Sequence, residues 1–154
     1  MKILFVCSGN TCRSPLAAAI LTEKLAAQPA LSGVTVASAG TNAWEGSPAS
    51  EGSYLIALER GLDLSAHRAR LLTADLVRDA DLILGMSDSH VRRATDLGGG
   101  GKSHNLVTYV GGLPGQRDVP DPVGGDVAGY RQTGDFLDTL LTRLITKLAA
   151  ERRS

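Results

Sequence analysis

The residues best suited to chemistry lie near the start of the chain, where five residues separate Cys7 from Arg13. All five are small or polar: Ser8, Gly9, Asn10, Thr11 and Cys12. A loop of such residues can curl so that successive backbone N–H groups point inward and form a concave anion site. The arginine adds a planar fork of donors that matches two phosphate oxygens. Residues 7–13, called the phosphate loop below, are therefore predicted to bind a phosphate group.

The same features act on the sulfur of Cys7. The thiolate is the reactive form of cysteine, and a helix N-terminus, a nearby arginine and inward N–H donors all favour it. Cys7 is therefore predicted to attack phosphorus while Arg13 stabilises the charge on the phosphate oxygens. The alternative is a structural strand-to-helix turn with an incidental cysteine.

Three further residues are predicted to support the phosphate loop. Ser14 can hydrogen-bond the sulfur of Cys7, and Asn10 tolerates left-handed backbone geometry while its amide ties the loop together. Cys12 has two interpretations that stay open: a small buried packing residue, or a reversible disulfide partner that shields Cys7 from over-oxidation. Spacing alone does not decide whether the two sulfurs meet.

Cleaving a phosphate ester also requires a proton for the leaving oxygen, and a carboxylic acid is the usual donor. Asp121 lies between Pro120 and Pro122, in a segment stiffened by the fixed φ angles of proline. Such a position can aim a carboxyl group at a fixed point, although Asp-Pro is also ordinary turn chemistry. Residues 117–122 are called the acid loop below.

These residues need a scaffold, and short apolar runs alternate with amphipathic stretches along the chain. Ser14 is the predicted N-cap of a first helix that begins at Pro15. Strands are predicted at residues 2–6, 34–37, 81–86 and 105–107, helices at 15–27, 49–60, 73–78 and 88–96, and loops at 42–50, 98–101 and 111–125. A last helix carries an apolar stripe at helical spacing, formed by Leu137, Leu140, Leu141, Leu144, Ile145 and Leu148.

This alternation predicts an α/β fold: a single-domain, three-layer sandwich over residues 1–154, with a four-stranded, mostly parallel sheet and helices on both faces. Open sheets of this kind bind ligands at the carboxyl ends of their strands, which is where the phosphate loop lies.

Composition and charge exclude several classes of partner. Sixteen Lys and Arg balance sixteen Asp and Glu, so no basic field attracts nucleic acid or an anionic membrane. No apolar run approaches the ~20 residues that span a bilayer, and we expect a cytoplasmic location. The histidines (His67, His90 and His104) have no ligand-like spacing to the cysteines, so no metal is expected. We expect no other cofactor.

Together the two loops resemble the low-molecular-weight protein tyrosine phosphatase family, whose N-terminal Cys, five residues, Arg-Ser/Thr loop pairs with a late Asp-Pro acid. The resemblance covers nearly the whole chain and includes SAGT at 38–41, GLDLSAHRAR at 61–70 and ADLILGMS at 80–87. It implies a cysteine-dependent phosphoprotein phosphatase that forms a phosphocysteine at Cys7, with Arg13 as phosphate clamp and Asp121 as general acid, later base. Phosphorylated proteins are the implied substrates, and inorganic phosphate or other oxyanions would occupy the same loop.

The resemblance also implies roles outside the catalytic residues. Asn10 and Ser14 would order the phosphate loop, with His67 behind it as a hydrogen-bond partner. Trp44 would form a wall of the cleft; the alternative for this residue is a partly buried packing role. Val123 occupies the position where many tyrosine-specific members carry an aromatic residue.

Substrate preference depends on two positions. Thr11 resembles the protein-arginine phosphatase branch, whereas tyrosine-specific members commonly have a branched apolar residue there, so phosphoarginine is slightly favoured over phosphotyrosine. Val123 weakens both assignments equally, because the arginine branch also tends to keep an aromatic residue at that position.

Two other functions compete with this interpretation. A thioredoxin-coupled arsenate reductase on the same fold would need further cysteines to pass a disulfide outward, and none follows Cys12. A non-catalytic phosphate-binding module would not need Cys7, Arg13 and Asp121 together.

Overall fold

Strands and helices alternate along residues 1–122 and 124–153, the part of the chain that the computed structural model describes. The strands are β1 (Lys2–Cys7), β2 (Thr35–Gly40), β3 (Leu82–Gly85) and β4 (Ser103–Asn105). The helices are α1 (Arg13–Ala26), α2 (Glu51–Glu59), α3 (Ala74–Asp79), α4 (Asp88–Ala94), α5 (Leu106–Tyr109) and α6 (Val127–Arg153). A 3₁₀ turn covers Pro29–Leu31 and a π turn covers Thr95–Gly99.

The strands form one parallel sheet in the order β2-β1-β3-β4. The first strand is therefore internal, which explains its continuous apolar sequence. Cys7 at its carboxyl end pairs with Gly40, and Val6 pairs with Gly85. The loops that follow β1, β2 and β3 consequently lie side by side at one edge of the sheet.

Side chains of β1 alternate between two apolar layers, as the pleat of a strand requires. Ile3, Phe5 and Cys7 belong to a large cluster formed with α1, α2, α5 and α6. Leu4 and Val6 belong to a smaller cluster with α3 and α4. The predicted sandwich, with helices on both faces of a four-stranded parallel sheet, is confirmed.

The last helix carries the apolar stripe predicted from its spacing. Leu137, Leu140, Leu141, Leu144, Ile145 and Leu148 are all buried. Among residues 1–122 and 124–153, none of the helices is both long enough and apolar enough to cross a membrane.

The predicted start of the first helix is wrong. The helix begins at Arg13 with Cys12 as N-cap, and its first turn is closed by a backbone bond from Leu16 N to Cys12 O. The hydroxyl of Ser14 does not cap the helix, because it lies 2.9 Å from the sulfur of Cys7 and accepts a bond from Asn10. Pro15 remains within the first turn, where its missing N–H costs no intrahelical bond.

Two strand predictions need correction. The second strand continues past Ala37 to Gly40, because Ser38, Ala39 and Gly40 remain paired with the end of β1. The fourth strand ends at Asn105 instead of running through 105–107, since Asn105 Oδ1 accepts bonds from Val107 N and Thr108 N and caps α5.

The four-glycine segment is not simply a loop. Its first two glycines belong to the π turn that extends α4, and Gly98 adopts a positive φ of 103°. Gly99 packs closely, because a Cβ there would lie 2.5 Å from Ser103 Oγ. The run of glycines therefore lets the chain reverse tightly into β4.

The close approach of β2 to the phosphate loop gives a test of the fold. A Cβ on Gly40 would lie 2.5 Å from Ser8 O and 2.9 Å from Asn10 N. We expect Gly40→Ala to lower the free energy of unfolding by about 1–3 kcal/mol, because backbone atoms must shift. Urea unfolding followed by circular dichroism measures the change.

The matched control is Gly100→Ala, at a position where φ is −59° and the nearest atom to an added Cβ is 3.9 Å away. This variant should stay within about 1 kcal/mol of the wild type. Equal stability of the two variants would contradict this close packing at Gly40.

Candidate active site

The phosphate loop begins where β1 ends, so that Cys7 lies at the carboxyl edge of the sheet, in front of the N-terminus of α1. Cys7 is buried, and Ser14 Oγ lies 2.9 Å from its sulfur. A hydroxyl at this distance can donate to a thiolate. The helix N-terminus adds partial positive charge on the same side.

Asn10 holds the loop in shape from within. Its backbone is left-handed with φ 55°, and the residue is 0% exposed. Its side-chain amide donates to Ser14 Oγ at 2.8 Å and to Ser38 Oγ at 2.9 Å, while Oδ1 accepts from Arg70 N at 2.9 Å. The loop is thereby fixed to α1, to β2 and to the segment that follows α2.

His67 lies behind the loop, as the family resemblance implied. Its Nε2 donates to the backbone carbonyl oxygen of Asn10 at 2.7 Å. Burial lowers the pKa of His67, against the opposing effect of this hydrogen bond, and the charges of Arg68 and Arg70 lower it further. His67 is therefore a neutral hydrogen-bond donor near neutral pH.

Arg13 connects the phosphate loop to the acid loop. The side chain is buried, and its Nη1 donates to Val119 O at 3.0 Å. Its Nη2 lies 3.6 Å from Asp121 Oδ2. The sequence-predicted nucleophile, clamp and acid are thus brought to one edge of the sheet, with the arginine between the two loops.

Two contacts fix the acid loop to the end of β3 and the start of α4. Val119 N donates to Met86 O at 2.9 Å. Arg117 forms a two-pronged bond with Asp88, from Nε at 3.0 Å and from Nη2 at 3.1 Å. Asn105 donates to the same carboxylate, and together these bonds lower the pKa of Asp88.

The remaining residues of the phosphate loop differ in exposure. Ser8, Gly9 and Thr11 are half-buried, whereas Cys12 is buried. Cys12 Sγ donates to Ser50 Oγ at 3.2 Å, and both cysteines are free thiols. The packing role of Cys12 is visible in the structure, and the proposed disulfide with Cys7 stays a prediction.

The structure describes Trp44, which the resemblance places in a wall of the cleft, but it does not describe Val123. Trp44 is 83% exposed, so the alternative of a partly buried packing residue is wrong. It lies in the loop after β2, which is attached to the phosphate loop by a bond from Asn42 N to Ser8 O at 2.9 Å. Val123 lies outside the described residues.

His90 is a part of the site to which the sequence pattern did not point. Its Nε2 lies 2.9 Å from Ser8 Oγ, and its Nδ1 lies 3.0 Å from Ser87 Oγ. The available signal was its place in the first turn of a helix that follows a predicted buried strand. That turn lies at the same edge of the sheet as the phosphate loop.

Comparisons with known proteins agree with this geometry. The family model described as low molecular weight phosphotyrosine protein phosphatase matches residues 2–154. A protein-arginine-phosphatase of Geobacillus stearothermophilus is 41% identical, covering 98% of each chain, and one of Bacillus subtilis is 38% identical, covering 99% of this chain and 100% of its own.

Solved structures show the same relationship. A YwlE arginine phosphatase mutant with a phosphorylated active-site serine matches with a TM-score of 0.90 and 35% identity, covering 99% of each chain. A low molecular weight protein tyrosine phosphatase from T. tengcongensis matches with a TM-score of 0.88 and 38% identity, covering 96% of this chain and 99% of its own. The chain therefore belongs to the low molecular weight phosphotyrosine protein phosphatase family.

Proposed function

We propose that this chain, as one catalytic domain over residues 1–154, removes phosphate from phosphorylated arginine in proteins, with Cys7, Arg13 and Asp121 as its catalytic residues. One observation carries the proposal: the buried Arg13 contacts the acid loop at Val119 and Asp121 while it completes the phosphate loop around Cys7. A nucleophile, an anion clamp and a proton donor are the three groups that phosphoryl transfer through cysteine requires.

In the first step the thiolate of Cys7 attacks phosphorus. A P–S bond forms and the P–N bond to the guanidino nitrogen breaks, with its electron pair going to nitrogen. The carboxyl group of Asp121 supplies the proton that this nitrogen takes up. A bound phosphate group competes with Asp121 for the donors of Arg13, which frees the carboxyl group to face the leaving group.

In the second step Asp121, now a carboxylate, takes a proton from a water molecule whose oxygen attacks phosphorus. The P–S bond breaks, the thiolate of Cys7 is restored and inorganic phosphate leaves. Ser14 supports both steps from 2.9 Å, because its hydroxyl can donate to the sulfur when the sulfur carries negative charge. The phosphorylated active-site serine in the similar arginine phosphatase supports a covalent step of this kind.

Two lines of support favour phosphoarginine. Thr11 places a hydroxyl on a half-buried part of the phosphate loop, where it can face a guanidinium group or the attacking water. Two similar proteins, at 41% and 38% identity, carry the name protein-arginine-phosphatase. Phosphotyrosine is the second candidate, favoured by the exposed Trp44, whose ring is available to stack on a phenol.

The deciding experiment compares hydrolysis of a phosphoarginine peptide and a phosphotyrosine peptide by the wild type and by Cys7→Ser. We expect turnover of both, a higher kcat/KM for phosphoarginine, and loss of activity in the variant. No turnover by the wild type would favour a phosphate-binding module instead. Arsenate reduction coupled to thioredoxin would favour the reductase.

The role of Asp121 predicts a dependence on the leaving group. Asp121→Asn should lower kcat/KM for phenyl phosphate by about 10²–10³, because phenolate leaves poorly without a proton. For p-nitrophenyl phosphate the loss should be less than about tenfold, since its leaving group needs little protonation. Steady-state kinetics on both esters measures the difference.

The control is Asp118→Asn, which changes an aspartate of the same loop. This substitution should leave the ratio of the two rates close to that of the wild type. A larger loss in the control than in Asp121→Asn would show that the acid is assigned to the wrong residue.

A second prediction concerns the effect of Thr11 on substrate preference. Thr11→Ile should raise the ratio of phosphotyrosine to phosphoarginine hydrolysis by about tenfold, because it replaces a polar contact for the guanidinium group with an apolar surface. Thr11→Ser, which keeps the hydroxyl, should stay near the wild-type ratio. An unchanged ratio in Thr11→Ile would remove the basis for the arginine preference.

A further inference from the structure

His90 makes a hydrogen bond that joins α4 to the phosphate loop. The residue is 3% exposed, and its Nε2 lies 2.9 Å from the hydroxyl of Ser8, the residue that directly follows Cys7. No step of the proposed chemistry uses this contact. A hydrogen bond from a buried histidine to the residue next to Cys7 can nevertheless limit the movement of that residue.

The ring of His90 is fixed at its other end by Ser87. Ser87 is the N-cap of α4 and His90 is its third helical residue, the usual position of a residue that bonds back to the cap. Here the contact joins two side chains instead, because the ring Nδ1 lies 3.0 Å from Ser87 Oγ. With Nδ1 held at Ser87, Nε2 lies on the side of the phosphate loop.

Gly85 allows the helix to come this close to the sheet. A Cβ on Gly85 would lie 3.0 Å from His90 Cβ and 3.1 Å from Val91 N. A larger residue at the end of β3 would therefore push α4 outward and lengthen the contact with Ser8. The small size of Gly85 thus allows His90 to reach Ser8 at the edge of the sheet.

Ser8 is held from both strands that flank β1. Its carbonyl oxygen accepts a bond from Asn42 N, which follows β2, and its hydroxyl meets His90, which follows β3. The two bonds therefore hold the residue beside Cys7 from the elements that follow both neighbouring strands.

The charge state of His90 suits this role. Burial and the nearby charge of Arg13 lower the pKa of His90 to about 4, against an opposing effect of Asp121. The ring is therefore neutral near neutral pH, so it adds no second positive charge beside Arg13. It acts through hydrogen bonds alone.

We propose that His90 is a positioning residue of this phosphatase, which fixes Ser8, and with it the sulfur of Cys7, relative to the bound phosphate group. The proposal rests on the function proposed above. If Ser8 moved freely, the sulfur of Cys7 would be displaced from phosphorus. The rate of phosphoryl transfer would then fall, because small displacements of reacting atoms are costly.

The test uses two substitutions that copy one ring nitrogen each. His90→Gln can place an amide where Nε2 lies and keep the bond to Ser8, whereas His90→Asn can keep the bond to Ser87 but does not reach Ser8. We expect His90→Asn to lower kcat/KM for p-nitrophenyl phosphate about tenfold and to weaken inhibition by vanadate about tenfold. His90→Gln should keep both kcat/KM and vanadate inhibition within about threefold of the wild type.

A double substitution tests whether His90 affects activity through its hydrogen bond to Ser8. Ser8→Ala, at a half-buried position, removes the same hydrogen bond from the other side and should resemble His90→Asn. Adding His90→Asn to Ser8→Ala should then cause no further loss, because the bond is already absent. Urea unfolding of each variant shows whether a loss of activity comes from a less stable fold or from displacement of Ser8.

Three results would overturn the proposal: equal kinetics for His90→Asn and the wild type, equal losses for the Asn and Gln variants, or additive losses in the double variant. These outcomes are distinct from failure of the proposed function, which would appear as a wild type without turnover. In that case binding of inorganic phosphate to the same variants tests the positioning role by itself.

Discussion

The phosphate loop keeps its shape because a buried asparagine holds a backbone conformation that most residues avoid. A left-handed φ costs most residues other than glycine about 1–2 kcal/mol, and asparagine is one of the few that adopt it. At Asn10 this conformation is held by bonds to Ser14, Ser38 and Arg70 through the side chain and by the bond from His67 to the backbone oxygen. These bonds keep the loop curled in front of Cys7.

The topology of the sheet explains why distant segments meet at this loop. The order β2-β1-β3 places the loops that follow these strands next to one another. The loop after β2 binds Ser8 through Asn42, and the start of α4 binds the acid loop through Asp88 and Arg117. Arg13 then joins both sides of the site, with Asp121 as the nearby opposite charge. The side chain of Arg13 is thus held in place by Val119 O and by Asp121.

The parts of the site that the sequence predicts are those determined by local order. Cys7 and Arg13 are separated by one short loop, and Asp121 is marked by its two prolines. The layers of the fold follow from alternating apolar patterns. The sequence also predicts the contact between the Ser14 hydroxyl and the sulfur of Cys7, whereas the predicted N-cap role of Ser14 is wrong, because its hydroxyl is engaged by this sulfur and by Asn10. His90 was not found because its contact with Ser8 spans 82 positions.

We propose that the phosphate loop, with Arg13, makes the sulfur of Cys7 the nucleophile at the place where phosphate binds. The most direct measurement is the rate at which iodoacetamide alkylates Cys7 near pH 6, followed by peptide mass spectrometry to separate it from Cys12. We expect rapid alkylation that phosphate or vanadate suppresses and that Arg13→Ala slows. Slow alkylation, unaffected by either anion, would contradict this role of Cys7.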